Sequence, residues 1–502
     1  ICSQHLQTRK TDMSSPASSP LRTSRHTTDS GIVYRRTTFL SIPPAEFPDL
    51  DITNTTPNTS NPFNVFQERL VVATIGLPAR GKSYISDSIV RFLRFGGCPA
   101  RLFNVGKLRR SEGLEGIDAG FFDPKNASAA AHRESMAMQC LDELLAWMPK
   151  TGCAVGILDA TNTTVERRRK LIDRCRHEAA ADPCLRLVFI ESVVNDAVLL
   201  EQNYRMKLEN DDYRGSDAER AAADFRDRVR KYESVYETLT DAEEGPGSPL
   251  HYIKLVDARQ LVAHNIRGYL GRKVVGLLGN IHLSARTIWI VLGGQTVNDD
   301  KGVIGGDPEL SAEGESYLDG ACQILTSLVA ASETKEETLF VLTGTSKRYN
   351  DAVNRLHAAL DAAVSSGADV PSDRPTLTLA AANDLCEGLM DLTSKAEWES
   401  RFPDEAAARS TDRLNYRYPG AGGESYQDLV ARVSGIVCIL EQSAGDSVVF
   451  CDRAVFRSIR GYFLGNPIEE IPFLDIQPGI LELKRTSRGF KSSHYNVDVG
   501  LA

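Results

Sequence analysis

No stretch of this chain is apolar for long enough to cross a bilayer as a helix, which takes about 20 consecutive apolar residues. Paired cysteines are missing too. The ten cysteines, at positions 2, 98, 140, 153, 175, 184, 322, 386, 438 and 451, are scattered and none forms C-x-x-C. That spacing supports neither a zinc site nor a disulfide framework. Several lie in apolar, strand-like runs, so buried free thiols in a reducing compartment, the cytoplasm, are expected. A surplus of positive charge is also lacking: 58 Lys and Arg face 67 Asp and Glu, a formal net charge of −9, and neither half is basic. Nucleic acid is therefore not the expected partner, nor is a membrane. The N-terminus is polar and carries no secretory signal pattern; it opens with Ile rather than Met, so a start further upstream is expected.

What is present is an ordinary globular composition, 42% hydrophobic and 25% charged. With 502 residues, two or three domains are expected rather than one core. Residues 1–65 are rich in Ser, Thr, Pro and Asn and poor in large apolar residues, which predicts a disordered extension. Residues 66–280 alternate strand and helix. Strands are predicted at Leu70–Ile75, Arg101–Val105, Ala154–Leu158, Arg186–Glu191 and Tyr252–Val256, and helices at 128–148, 164–179, 216–240 and 259–278. A second alternation fills 281–487, with strands at Thr287–Leu292, Thr338–Leu342, Thr376–Leu379, Ser447–Cys451 and Gly479–Leu483 and helices at 311–331, 347–366, 425–442 and 453–464. Two α/β domains with mostly parallel sheets follow from this pattern. Residues 488–502 read as a loose polar tail.

The first domain is organised around residues 70–94, LVVATIGLPARGKSYISDSIVRFLR. A strand runs into G-x-x-x-x-G-K-[ST] and then into an amphipathic helix, the context a phosphate-binding loop requires. Gly76, Leu77, Pro78, Ala79, Arg80, Gly81, Lys82, Ser83 and Tyr84 are the predicted nucleotide loop. Its glycines let backbone N–H groups face a phosphate, Lys82 reaches the outer phosphates and Ser83 is a ligand for Mg²⁺. Asp159, at the end of the third strand, holds the place of an acid that binds Mg²⁺ or orients the attacking hydroxyl. Thr161–Thr164 can cap the next helix in its stead. Arg109, Arg110, Arg167, Arg168 and Arg169 fall in loops at the same sheet edge and suit a phosphorylated acceptor.

Taken together, GLPARGKS, FNVGKLRR, FFDP, LDATNTTVERRR, FIESV, DDYRG and RYPGAGGESYQDLV resemble the 6-phosphofructo-2-kinase/fructose-2,6-bisphosphatase family over about residues 66–487. The resemblance implies a P-loop kinase that uses ATP and Mg²⁺ to phosphorylate fructose 6-phosphate at its 2-hydroxyl, yielding fructose 2,6-bisphosphate, a regulator of glycolysis. It makes Lys82, Asp159 and Lys207 catalytic and assigns the sugar phosphate to Arg109, Arg133, Thr161, Arg167, Lys207, Arg228 and Tyr232. A homodimer formed through the kinase half is implied as well. Val194 departs from the family, which often has a cysteine there. Short basic motifs make Thr38 and Ser487 candidate targets of regulatory protein kinases. The alternative reading is a non-catalytic sensor or scaffold that binds ATP and a sugar phosphate.

The same resemblance makes the second domain a histidine-phosphatase, phosphoglycerate-mutase-like fold with its chemistry removed. Where that family has R-H-G-E, this chain reads Leu292-Gly293-Gly294-Gln295. Glycine cannot form a phospho-enzyme. The second catalytic histidine falls on Asp452, the family's acid on Asp384 and a loop arginine on Val303. Bisphosphatase activity is expected to be absent, although Arg348, Arg409, Arg417 and Arg457 leave room for weak anion binding. The half is then a regulatory or structural scaffold for the kinase.

Overall fold

The computed structural model describes residues 67–497 except 115–118, 209–216, 245–248, 333 and 335–337. Thr38, the 1–65 extension and the DDYRG motif thus lie outside the described residues. The first sheet is built from β1 (Arg69–Ile75), β2 (Ala100–Asn104), β3 (Ala154–Asp159), β4 (Leu185–Val193), β5 (Tyr252–Val256) and β6 (Gln260–His264), in the order β2-β3-β1-β4-β5-β6. Its first five strands are parallel and β6 is antiparallel to β5. Around it lie α1 (Lys82–Phe95), α2 (Val105–Ser111), α3 (Ala127–Trp147), α4 (Val165–Ala179), α5 (Ala197–Leu208), α6 (Ala218–Glu233) and α7 (Tyr269–Leu278). β1 is buried along its whole length, as a central strand covered on both faces must be.

The second sheet has the order β12-β11-β7-β10-β8-β9. Its strands are β7 (Thr287–Leu292), β8 (Phe340–Thr343), β9 (Thr376–Thr378), β10 (Ser447–Cys451), β11 (Ile480–Arg485) and β12 (Phe490–Tyr495). Its helices are α8 (Val297–Asp300), α9 (Ala312–Ala330), α10 (Lys347–Ser365), α11 (Lys395–Arg401), α12 (Pro403–Thr411), α13 (Tyr426–Gln442) and α14 (Arg453–Leu464). β11 and β12 run antiparallel to the rest.

Three expectations require correction. The helix predicted over 259–278 is a strand, β6, followed by the shorter α7. Asp257 and Ala258 both have positive φ, 52° and 51°, and with Arg259 they form the three-residue loop between the paired Val256 and Gln260, closed by the Arg259 N–H on the Val256 carbonyl at 3.0 Å. Neither is Gly or Asn, so the turn leaves no signature in the sequence. The helix predicted over 216–240 ends at Glu233. Finally, residues 490–495 of the tail are not loose: β12 pairs with β11 from Phe490 to Tyr495, and the Phe490 ring packs edge-on against Phe463 at 4.7 Å.

The two halves are packed together through α1. Phe95, at its last turn, is buried in the apolar cluster of the second domain and meets Tyr462 edge-to-face at 5.4 Å. Beside it the carboxylate of Glu441 (α13) is fully buried. It accepts hydrogen bonds from Tyr84 (3.0 Å), Arg91 (3.3 Å), Arg286 (2.6 Å) and Tyr462 (2.9 Å). Burial opposes ionisation, but Arg286 and Arg91 outweigh it and hold the carboxyl below the usual range. Truncating a buried aromatic removes its transfer energy and leaves a cavity. Phe95→Ala is therefore expected to cost the full chain about 3–5 kcal/mol, read as a lower guanidinium midpoint.

Candidate functional site

In the first sheet the order of strands reverses around β1, and ligands of such sheets settle at the carboxyl ends there. β1 and β3 are neighbours in parallel register, Ala73 beside Leu158, so the glycine loop and Asp159 emerge side by side. The Gly76 N–H donates to the Thr161 carbonyl at 2.9 Å and ties the two loops together. Gly76 (φ 134°) and Gly81 (φ 79°) occupy conformations that favour glycine, and Ala79 shares the left-handed region at φ 57°. A side chain at Gly76 would strike the Ser192 carbonyl, 2.5 Å from the added carbon. Gly81 caps α1 without a side-chain bond, and the first turn holds no acid. The helix's leading N–H groups and its positive dipole end are thus available to an anion.

A cavity of about 480 Å³ opens at this point. It is lined by Pro78, Ala79, Gly81, Lys82, Ser83, Arg109, Arg133, Asp159, Thr161, Arg167, Lys207, Arg228 and Tyr232 from the predicted set. Four predicted loop residues do not line it. Gly76 and Leu77 turn away: the Gly76 amide bonds to Thr161, and the Leu77 carbonyl accepts from Lys82. Arg80 is buried against the Pro78 carbonyl and pairs with Glu233. Tyr84 points backwards to Glu441. Among the arginines after Asp159, Arg168 is a structural residue, fully buried and forked onto Glu243 at 2.6 and 2.8 Å. Arg169 is exposed on the far side of α4 and absent from the cavity. Val194 packs in the apolar cluster behind the sheet, so it leaves no polar gap in the cavity.

Asp159 is buried, accepts a hydrogen bond from Asn104 and is 3.4 Å from the Thr74 hydroxyl. Thr164 caps α4 through the Arg167 N–H at 3.2 Å, so Asp159 is not spent as a cap. Arg133 bonds the Phe121 carbonyl, Arg167 bonds Glu134 at 2.6 Å, and the Arg228 guanidinium lies 3.8 Å over the Phe122 ring. These contacts fix three guanidinium planes along one wall. Nine Lys and Arg side chains line the cavity against three Asp and Glu, so it is built for an anion of high charge. Ser83 and Asp159 offer hard oxygen donors. Among the described residues no cluster of three or more His, Cys, Asp and Glu is assembled. One carboxylate and one hydroxyl suit Mg²⁺ that arrives on phosphate and keeps its waters.

Sequence reasoning missed part of the wall. Asn104 supports Asp159 and caps α2; an Asn near the end of a predicted strand is the available sign. Arg485, Ser487 and Arg488 also line the cavity, although they belong to the second domain. Arg485 is buried, its Nε is without a hydrogen-bond partner, and its guanidinium stacks on Tyr84 at 4.2 Å. No local pattern signals an approach between residues 400 positions apart.

In the second sheet β7 and β10 are parallel neighbours with Leu292 beside Cys451. Gly293 and Asp452 therefore sit together, as a nucleophile and its partner would. The room for a nucleophile is filled. A carbon added at Gly293 would lie 2.6 Å from the Tyr349 ring, and one at Gly344 would lie 2.7 Å from the same ring. Tyr349 is fully buried between these two glycines and donates to Asp384 at 2.6 Å. Arg348 pairs with Asp384 and lies 3.6 Å from Asp452 and 3.7 Å from Asp299. Burial and Asp452 push the Glu387 carboxyl up to about 8. Arg417 pairs with Asp428, Arg457 bonds the Leu474 carbonyl at 2.8 Å, and Arg409 lies over Trp398 and Tyr418. Of the four arginines, Arg348 and Arg417 are paired with carboxylates within the protein.

A family model described as 6-phosphofructo-2-kinase matches residues 58–285, and one described as histidine phosphatase superfamily (branch 1) matches residues 370–498. The second match begins well after β7. The chain is 34% identical over 460 residues to a probable 6-phosphofructo-2-kinase of Schizosaccharomyces pombe, covering 84% of this chain and 68% of that protein. It is 33% identical over 439 residues to a 6-phosphofructo-2-kinase/fructose-2,6-bisphosphatase of Caenorhabditis elegans, covering 86% and 89%. To 6-phosphofructo-2-kinase 1 of Saccharomyces cerevisiae it is 32% identical over 459 residues, covering 85% of this chain and 52% of that protein.

Two measurements test this geometry. Burial pushes the Lys82 ammonium down to about 7; Asp159 opposes this, and Lys207, Arg80 and Arg228 add to it. An incoming phosphate favours the charged form, so binding takes up a proton and the affinity falls as pH rises above about 7. Calorimetry of MgATP binding at pH 8 in buffers of different ionisation enthalpy should show uptake of about one proton, lost in Lys82→Met. Separately, Gly293→His should restore no phosphatase activity and should cost about 1–3 kcal/mol by overpacking Tyr349, read by thermal unfolding.

Proposed function

The chain belongs to the 6-phosphofructo-2-kinase family, and from that premise we propose that it makes fructose 2,6-bisphosphate from ATP and fructose 6-phosphate and no longer hydrolyses it. The observation that carries the reading is the single cavity in which the glycine loop, Asp159 and the Arg109, Arg133, Arg167 and Arg228 wall converge. ATP phosphates occupy the N-terminal end of α1, with Lys82 against the γ-phosphoryl and Lys207 opposite. Mg²⁺ would be held by Ser83 and Asp159, where it neutralises charge on the phosphates. The arginine wall, with Thr161 and Tyr232, holds fructose 6-phosphate. The 2-hydroxyl oxygen then bonds to the γ-phosphorus, the bond to the β–γ bridging oxygen breaks, and ADP leaves. Asp159 orients that hydroxyl and is placed to take its proton. Catalysis here is positioning and charge stabilisation more than covalent chemistry.

Loss of hydrolysis follows from Gly293, from the Tyr349 ring in the nucleophile's place, and from carboxylates where a phosphate would have to enter. We further propose a homodimer formed through the kinase half and a cytoplasmic location. No helix among the described residues is long and apolar enough to cross a membrane. Of the two candidate phosphorylation sites, Thr38 is the better proposal: the Arg485 that precedes Ser487 is buried, so that basic motif is not displayed to another kinase.

Phosphorus NMR of the protein with MgATP and fructose 6-phosphate tests both parts. A ketose 2-phosphate signal should grow with ADP and persist after ATP is exhausted. Decay of that signal with release of free phosphate would overturn the reading of Gly293 and Asp452, and no product would overturn the kinase. Asp159→Asn should lower kcat by about 10²–10⁴-fold, read from initial rates at saturating MgATP and fructose 6-phosphate.

A further inference from the structure

The second domain lacks a nucleophile, yet it reaches the nucleotide loop from behind. Tyr84 stands two residues after Lys82, in the first turn of α1, and its side chain is enclosed. Its hydroxyl donates to Glu441 at 3.0 Å and accepts from Arg286 at 3.2 Å, while Arg485 covers the ring at 4.2 Å. All three partners come from beyond residue 280. Leu283 packs so closely on Gly81 that an added carbon there would lie 2.8 Å from it. The loop thereby faces the cavity on one side and is held on the other by the second domain. Helix α1 is otherwise free to tilt only by breaking these contacts, because the groups around Tyr84 are buried and leave no water to replace them.

We propose that Glu441 is a positioning residue for nucleotide binding: through the Tyr84 hydroxyl it sets the first turn of α1 and so aims Lys82 and Ser83. The retained fold of the second domain then serves the kinase site directly. This rests on the kinase reading of the cavity. A merely structural role for Glu441 makes a different forecast, because Tyr462 donates to the same carboxylate at 2.9 Å from α14 and is equally buried.

The test compares Tyr84→Phe with Tyr462→Phe in the full chain. Each deletes one hydroxyl bonded to Glu441, and each should lower thermal stability to a similar extent. In Tyr84→Phe, titration with a fluorescent ATP analogue should show affinity weakened about three- to tenfold, and the KM for ATP should rise to match. The KM for fructose 6-phosphate should stay put. Tyr462→Phe should keep the parent's nucleotide affinity. Equal nucleotide affinity in both variants, whether unchanged or reduced together with stability, would overturn the proposal. A parent chain that binds no ATP would instead remove the kinase reading on which it rests.

Discussion

The parallel pairing of β1 with β3 is the constraint from which the site follows. Their register sets Leu158 beside Ala73, so each strand delivers its next residues to the same edge. One contributes a glycine loop with an uncapped helix start, the other a carboxylate. Neither works alone. The loop's N–H groups and Lys82 would gather phosphate without directing a nucleophile at it. Asp159 by itself is a buried acid that burial penalises, and Asn104 and Thr74 are its immediate support. Closing the pair with the Gly76–Thr161 bond makes a rigid floor, and rigidity is what a reaction governed by placement requires.

The cavity's surplus of cations has a cost that the fold distributes. Lys82 is pushed down to about 7 because burial strips its hydration, and Lys207, Arg80 and Arg228 add repulsion. Three of the arginines are held by the planar faces of their guanidiniums. Arg109 and Arg228 lie on the Phe122 ring at 5.6 and 3.8 Å, and Arg133 lies on Phe121 at 5.8 Å. Aromatic faces hold a cation in place without neutralising it, whereas a carboxylate would hold it and cancel its charge. The second domain shows the contrast. There Arg348 sits among Asp384, Asp452 and Asp299, so its charge is offset within the protein.

The kinase floor was legible in the sequence because its signals are local. G-x-x-x-x-G-K-S between a β-branched strand and an amphipathic helix fixes both fold and chemistry within a few residues, and the threonines after Asp159 free it from capping. The failures share one physical origin, which is that contacts distant in sequence decide them. Tyr84 lies next to the loop in the chain, yet Glu441 draws it to the other side of the helix. Arg168 looks like its neighbours Arg167 and Arg169, but only it meets Glu243. The hairpin at Asp257-Ala258 uses left-handed residues that are neither Gly nor Asn, so local chemistry gives no warning. The terminal strand is polar on its exposed side and was read as loose, although Phe490 anchors it between the two cores.

Retention of the second domain is then a question of which of its residues remained under constraint. At the end of β7 in the second sheet stands a glycine, and a tyrosine ring fills the space between Gly293 and Gly344. A plugged pocket is better for stability than an empty one, since a void forfeits contacts on every side. At the face toward α1 the opposite holds. Arg91, Arg286 and Arg485 bring three buried guanidiniums together around one carboxylate. Such a cluster is costly to bury and gives less stability than apolar packing of the same volume could. A domain kept only as ballast has no reason to maintain it. A domain that must hold the first turn of the nucleotide helix in one orientation does, because a junction of buried charges hydrogen-bonded to one carboxylate tolerates few alternative arrangements where an apolar one tolerates many.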